Sequence, residues 1–230
     1  MESTISLITA GLSHLQIRHF TTYPEKGGAG IAAGRTVRSL INEKLDARLA
    51  GLVTPDTDRE KDPIEAILYT PEIKQAVWRR MRKVQCEKDQ GILRDSKNGY
   101  AFFSDRSTYG LSLLAQIEGA HIAHLHWVCD LLDTSTLRKS LQNGRKVFWT
   151  MHDMWAFTGG CSYAMECDRF EEACGACPGL GSTKSRDITF KSLRRKSNAI
   201  GAEGENLKLI APSRWMARRV ERSALFRNIQ

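Results

Sequence analysis

A chain of 230 residues with 41% hydrophobic content can bury one large core, which excludes a disordered chain and leaves room for at most one large domain plus a small appendage. Its formal net charge of +8 fits an acidic partner, whether nucleic acid, anionic headgroup or phosphorylated substrate, and the sign alone does not choose among them. No apolar stretch reaches the roughly 20 residues of a spanning helix, and the weakly apolar start Ile5–Leu12 lacks the basic flank and cleavage site of a signal peptide, so a cytoplasmic location is expected.

In chain order, Leu15–Thr22 reads as a first strand that runs into the glycine turn Tyr23–Gly30, and Ile31–Leu45 carries apolar residues at helical spacing. Ala47–Val53 reads as a second strand, Thr54–Pro63 as a polar loop and Pro71–Lys88 as a basic amphipathic helix. Asp89–Asp105 has no period, and Tyr109–Ile117 is a short helix. His121–Trp127 alternates as a strand, Leu131–Leu141 is a helix stopped at Asn143-Gly144, and Lys146–Met151 is a nearly continuous apolar strand, which makes a βαβ unit. Met154–Ser182 is a Gly- and Cys-rich loop far longer than an ordinary connection. Ile188–Ala199 is a basic helix, Leu207–Ala211 a last strand, and Ser213 caps a helix over Arg214–Arg222. This alternation predicts an α/β fold with a Rossmann-like, doubly wound parallel sheet, whose ligands bind beyond the carboxyl ends of the strands.

Three groups of residues then carry chemistry. Gly27-Gly28-Ala29-Gly30 follows a strand and opens a helix, so bare N–H groups can approach a phosphate or a sugar hydroxyl; glycines needed only for a tight turn explain the run equally well. In Trp149–Trp155 a strand delivers His152 beside Asp153 and between two indoles, where aromatic faces can stack on sugars and an imidazole can donate to a hydroxyl. The alternative is a histidine satisfied by backbone with tryptophans in the core. His124 and His126 project from one strand face, and a structural or substrate-contact role fits them better than a metal pair because no nearby carboxylate completes one.

Of six cysteines, Cys161, Cys167, Cys174 and Cys177 crowd into the long loop. Cys174-x2-Cys177 is a good zinc knuckle and the wider first spacing is not, so a structural zinc, two disulfides and four free thiols all stay open. Basic residues gather at Arg79–Lys83 and Lys184–Lys196, either as solvated helix faces or as anion contacts.

The segments HLHW, KVFWTMHDMWAFTGGCSYAMECDRFEEACGACPGLGS and LIAPSRWMARRVERSALF, in this order, resemble the N-terminal domain of glycosyltransferase family 4 enzymes of bacterial polysaccharide assembly, in particular the colanic-acid-type subgroup. The resemblance covers His121 to the end and the early glycine turn, while Thr54–Tyr109 matches nothing placed. It implies one half of a two-domain GT-B enzyme: residues 1–230 as the acceptor-side domain, the loop 154–182 as an insertion, and a C-terminal donor-binding domain absent from the chain. It further implies retaining hexosyl transfer from a nucleotide-sugar to a polysaccharide or lipid-linked glycan, with no catalytic metal. His152 matches the histidine that contacts the transferring sugar, and Gly27 and Gly28 match the loop near the donor phosphates or acceptor. The expected substrate-contacting set is Gly27, Gly28, Gly30, His126, Trp127, Asp153, Trp155, Ser213 and Arg214. Expected partners are the glycan acceptor, a separate donor-binding half and the inner face of the membrane, with no nucleic acid. The competing expectation is a basic nucleic-acid-binding module with the cysteines as a zinc knuckle, which explains the charge but not the strand-borne His152.

Overall fold

A computed structural model describes residues 15–52, 64–66, 73–94, 96 and 99–229; the apolar start Ile5–Leu12 and the loop Thr54–Pro63 lie outside them. Six parallel strands form one sheet: β1 (Gln16–Phe20), β2 (Asp46–Gly51), β3 (Ile64–Ala66), β4 (Ile122–Leu125), β5 (Val147–Thr150) and β6 (Leu207–Ile210). Their order is β3-β2-β1-β4-β5-β6, so the chain winds outward from β1 and then returns to build the other half from β4. This is a single Rossmann-like α/β domain, as the alternation of periods predicts. The strand β3 was not expected.

Alternation along each strand sorts the side chains to two faces. Ile17, Ala47 and Leu49 face the helix α1 (Gly27–Asn42) and bury Ala33 and Val37. Phe20, Ala50, Ala123, Leu125, Val147, Trp149 and Leu207 face the opposite way. There they pack against α3 (Gly110–Glu118), α4 (Thr134–Gln142), α5 (Ile188–Ile200) and α6 (Arg214–Arg222) through Leu113, Leu137, Ile200 and Met216. The remaining helix, α2 (Ile73–Leu93), runs longer than its apolar pattern suggests, and its Arg82 reaches the fully buried Asp133 at 3.0 Å.

Local caps set the helix starts. Asp133 accepts from the Ser135 N–H, Asp187 from Thr189 and Phe190, and Ser213 from Met216, each satisfying a donor the helix leaves open. By contrast α1 begins at Gly27 with no side-chain cap on its first turn, so the glycine run is part of the helix rather than a turn before it.

The loop 154–182 is tied down rather than loose. Short 3-10 turns at Trp155–Phe157, Arg169–Glu171 and Pro178–Leu180 alternate with bends, and Phe157 and Phe170 pack with Phe226 beneath them. The segment 99–105 closes over the loop: Phe103 N–H donates to Gly160 O and Ser162 N–H to Ala101 O, with Phe102 bridged to Cys161.

One of the two expected basic clusters, Lys184–Lys196, is partly consumed by the fold. Arg195 forms a two-pronged pair with the buried carboxylate of Asp105, at 2.7 and 2.5 Å. Lys196 is itself buried, donates to the carbonyls of Trp155 and Thr158 and sits 4.0 Å above the Trp155 ring. Among the described residues no helix is long and apolar enough to cross a membrane.

Candidate active site at the carboxyl edge

The sheet order reverses between β1 and β4, and the loops that leave the carboxyl ends of β1, β4 and β5 meet there. They enclose an open cleft of about 600 Å³. Thr21, Tyr23, Lys26 and Gly27–Gly30 line it from the β1 side, Trp127 from β4, His152 and Asp153 from β5, Ala101 and Phe103 from the segment over the loop, and Ser162 and Tyr163 from the loop itself. His152 therefore shares a crevice with the glycine run.

The glycines separate into two kinds. Gly27 has φ +65, and a Cβ on Gly30 would lie 2.2 Å from the Tyr23 carbonyl, so both are required by the fold. A Cβ on Gly28 would meet nothing within 4 Å. Its bareness leaves the start of α1 open to the cleft, where N–H groups and the positive helix end favour an anion or a polar oxygen.

The aromatic wall is Trp127. Its ring stacks on Tyr23 with centroids 6.2 Å apart, meets Phe103 edge-on at 5.1 Å, and its Nε1 donates to Asp153 Oδ2 at 2.9 Å. Asp153 Oδ1 accepts from the Trp155 N–H at 2.9 Å. Burial raises the Asp153 pKa, with these two donors pulling against it.

Behind His152 lies a file of imidazoles on the α1 face of the sheet. Parallel register places His19 of β1 beside His124 of β4. His19 Nδ1 is 3.0 Å from His126 Nε2, His126 Nδ1 is 3.0 Å from His152 Nε2, and His124 Nε2 is 2.8 Å from Thr150 Oγ1. Burial, reinforced by like neighbours, lowers His19 to about 3, His124 to about 4 and His126 to about 2; burial also lowers His152. All four are neutral near pH 7. The candidate ligand atoms of His19, His124 and His126 lie within 4.8 Å of one another, although both nitrogens of His126 are already engaged by imidazoles.

The other expected site residues fall elsewhere. His126 is 4% exposed and sits behind His152 rather than on the cleft. Trp155 is a core residue whose Nε1 donates to Phe103 O at 3.1 Å. Ser213 caps α6, and Arg214 is exposed on that helix's first turn, neither lining the cleft. Missed by sequence reading are His19, Lys26, Phe103, Ser162 and Tyr163. His19 was legible only through strand register, and Phe103 only through a bridge between segments with no common period.

Cys161, Cys167, Cys174 and Cys177 are free thiols that line one small apolar cavity of about 20 Å³. Backbone N–H groups point at the sulfurs: Gly159 at Cys174 over 3.2 Å, and Gly179 and Leu180 at Cys177. Burial raises Cys161 to about 11 and Cys174 to about 12. The set fits one zinc in ligand type and in its N–H donors to sulfur, and the four thiols line one cavity, but closing on an ion requires the sulfurs to draw in, since among the described residues they do not form a group as tight as that of the three histidines.

No family model matches this chain, and no solved structure does. Among curated proteins it is similar to the putative colanic acid biosynthesis glycosyl transferase WcaC of Escherichia coli (strain K12), 28% identical over 65 residues. That segment is 27% of this chain and 16% of that protein.

Proposed function

We propose that this domain is the acceptor-side half of a glycosyltransferase, moving a hexosyl group from a nucleotide-sugar to a polysaccharide or lipid-linked glycan. The observation that carries the reading is the convergence, at the topological switch point, of the bare start of α1, the Trp127 wall and the His152–Asp153 pair around one open cleft. The short similarity to a glycosyl transferase agrees with it.

In this reading Trp127 and Tyr23 present ring faces to a sugar, the Gly27–Gly28 amides receive a phosphate or hydroxyl oxygen, and His152 contacts the transferring sugar. A second Rossmann-like half, on the same or another chain, supplies most of the donor grip, so the 230 residues alone show negligible turnover because one wall cannot position both substrates or exclude water. No metal takes part in donor binding. The cysteine loop supplies Ser162 and Tyr163 to the cleft, and a structural zinc on Cys161, Cys167, Cys174 and Cys177 would stiffen that wall. The enzyme works at the inner face of the membrane, where a lipid-linked acceptor resides.

The test is a titration of the chain with glycan fragments and, separately, random oligonucleotides, read by ligand-observed NMR. Glycan fragments are expected to bind saturably, and Trp127→Ala to abolish that binding. Salt-dependent oligonucleotide binding with no response to glycans would replace this reading with a nucleic-acid module. When a donor half is supplied in trans, His152→Ala is expected to lower transfer roughly 10²-fold.

A further inference from the structure

The three imidazoles from His19 to His152 cannot hold their protons independently. A neutral imidazole has one N–H and one bare nitrogen. With His19 Nδ1 3.0 Å from His126 Nε2 and His126 Nδ1 3.0 Å from His152 Nε2, placing the proton on any ring places it on all three. His124 braces the file, stacked 4.3 Å from His126 and tilted against His19 at 4.7 Å.

The buried end decides the direction. Among the described residues His19 Nε2 is buried without a hydrogen-bond partner, in a residue 1% exposed. A proton there would be a buried donor with no acceptor, the arrangement folded proteins avoid most consistently, whereas a bare nitrogen leaves only an unfilled acceptor. The proton therefore belongs on His19 Nδ1 and points at His126 Nε2. His126 is then protonated on Nδ1 and donates to His152 Nε2. His152 in turn keeps its proton on Nδ1, which no described residue engages, in a ring that lines the cleft.

We propose that His19 and His126 are positioning residues that lock His152 as an Nδ1–H donor aimed into the cleft, toward an oxygen of the bound ligand. Its one bare nitrogen faces His126, so in this state the ring gives a hydrogen bond and takes no proton from a ligand. That the oxygen belongs to a sugar or its phosphate rests on the glycosyl-transfer reading; the proton arrangement does not.

The experiment reads the ligand-free full chain, labelled with ¹⁵N in its histidine rings, by two-bond ¹⁵N–¹H correlation. His19, His126 and His152 are expected as Nδ1–H, the reverse of the Nε2–H form that free imidazoles favour in water. His19→Asp places an acceptor at the head of the file, and should turn His126 and His152 over to Nε2–H. His126→Phe removes the donor to His152 Nε2 and should release His152 from the Nδ1–H form. Nε2–H on His152 in the unaltered chain would overturn the proposal whether or not either variant folds. So would a His152 signal indifferent to both substitutions, or stoichiometric shifts of His19, His124 and His126 on adding Zn²⁺, which would mark a three-histidine metal centre instead. No outcome depends on turnover, so a failed glycan titration leaves the proton arrangement standing, and the reverse holds.

Discussion

The indole Nε1 of Trp127 donates to Asp153 Oδ2 across 2.9 Å, and this one bond joins the loop after β4 to the loop after β5 at the floor of the cleft. It gives the ring a fixed plane and the carboxylate a donor against a burial that raises its pKa.

Trp127 therefore has two separable roles. Trp127→Phe keeps an apolar face toward the cleft and loses the donor, which should cost about 1.5–3 kcal/mol, the range for hydrogen bonds to charged groups, while sugar binding persists. Trp127→Ala should remove both. Urea denaturation reads the first effect and glycan titration the second; equal weakening of glycan binding in the two variants would contradict the division.

The glycine run gives a similar contrast. Gly30→Ala would drive a methyl into the Tyr23 carbonyl and should destabilise by about 1–3 kcal/mol or more. Gly28→Ala meets open space and replaces a poor helix former, so it should stabilise by about 0.4–1 kcal/mol while placing a methyl over the N–H groups that face the cleft. A more stable protein with weakened ligand affinity is the expected result for Gly28→Ala, measured by thermal melting and titration together.

Much of this geometry was legible from short-range signals. The apolar run Lys146–Met151 places His152 at a strand end, and Ser213 announces the cap of α6, because strand periodicity and capping are local. The edge strand β3 was not legible, since three residues give no period. Trp155 read as a cleft residue from its closeness in sequence to His152, yet the 3-10 turn Trp155–Phe157 carries it inward over Lys196, a tertiary contact between residues 41 apart. His19 likewise gains its meaning only from the register that sets β1 against β4.

Arg195 belongs to a basic run that composition assigns to an acidic partner, but its fork is spent on Asp105, whose side chain is 1% exposed. Although burial pushes against ionisation, the guanidinium holds Asp105 below the usual carboxylate range. Arg195→Ala should therefore cost about 3–5 kcal/mol by leaving a buried charge uncompensated, and Arg195→Leu combined with Asp105→Leu should recover a large part of it. A double-mutant cycle in urea checks this, and strict additivity would argue against the pair.

For the cysteines, purified protein is expected to carry about one zinc per chain, with chelation loosening the loop 154–182 before the sheet. Because Ser162 and Tyr163 reach the cleft from that loop, metal removal should also weaken ligand binding there. Elemental analysis and hydrogen exchange read the first two effects, and glycan titration the third. A metal-free protein with four thiols that titrate fully under native conditions would leave the cavity among Cys161, Cys167, Cys174 and Cys177 as apolar packing alone.

Acid should expose the cost of burying neutral histidines. His19 and His126 are 1% and 4% exposed, with folded values of about 3 and about 2 against roughly 6.5 in an unfolded chain. Below pH 6.5 the unfolded chain takes up protons that the folded one refuses, so stability is whole above that value and falls as pH drops toward 3. At pH 5 each of the two contributes a loss of about 2 kcal/mol, and His124, held at about 4, adds a loss of like size, against a total that for such domains is roughly 5–15 kcal/mol. Urea midpoints at pH 7 and pH 5 should differ accordingly, and His19→Leu should flatten the difference by about a third, since a leucine titrates in neither state and His124 and His126 remain. An undiminished pH dependence in that variant would place the acid sensitivity on other groups and contradict the burial of a neutral imidazole at the head of the file.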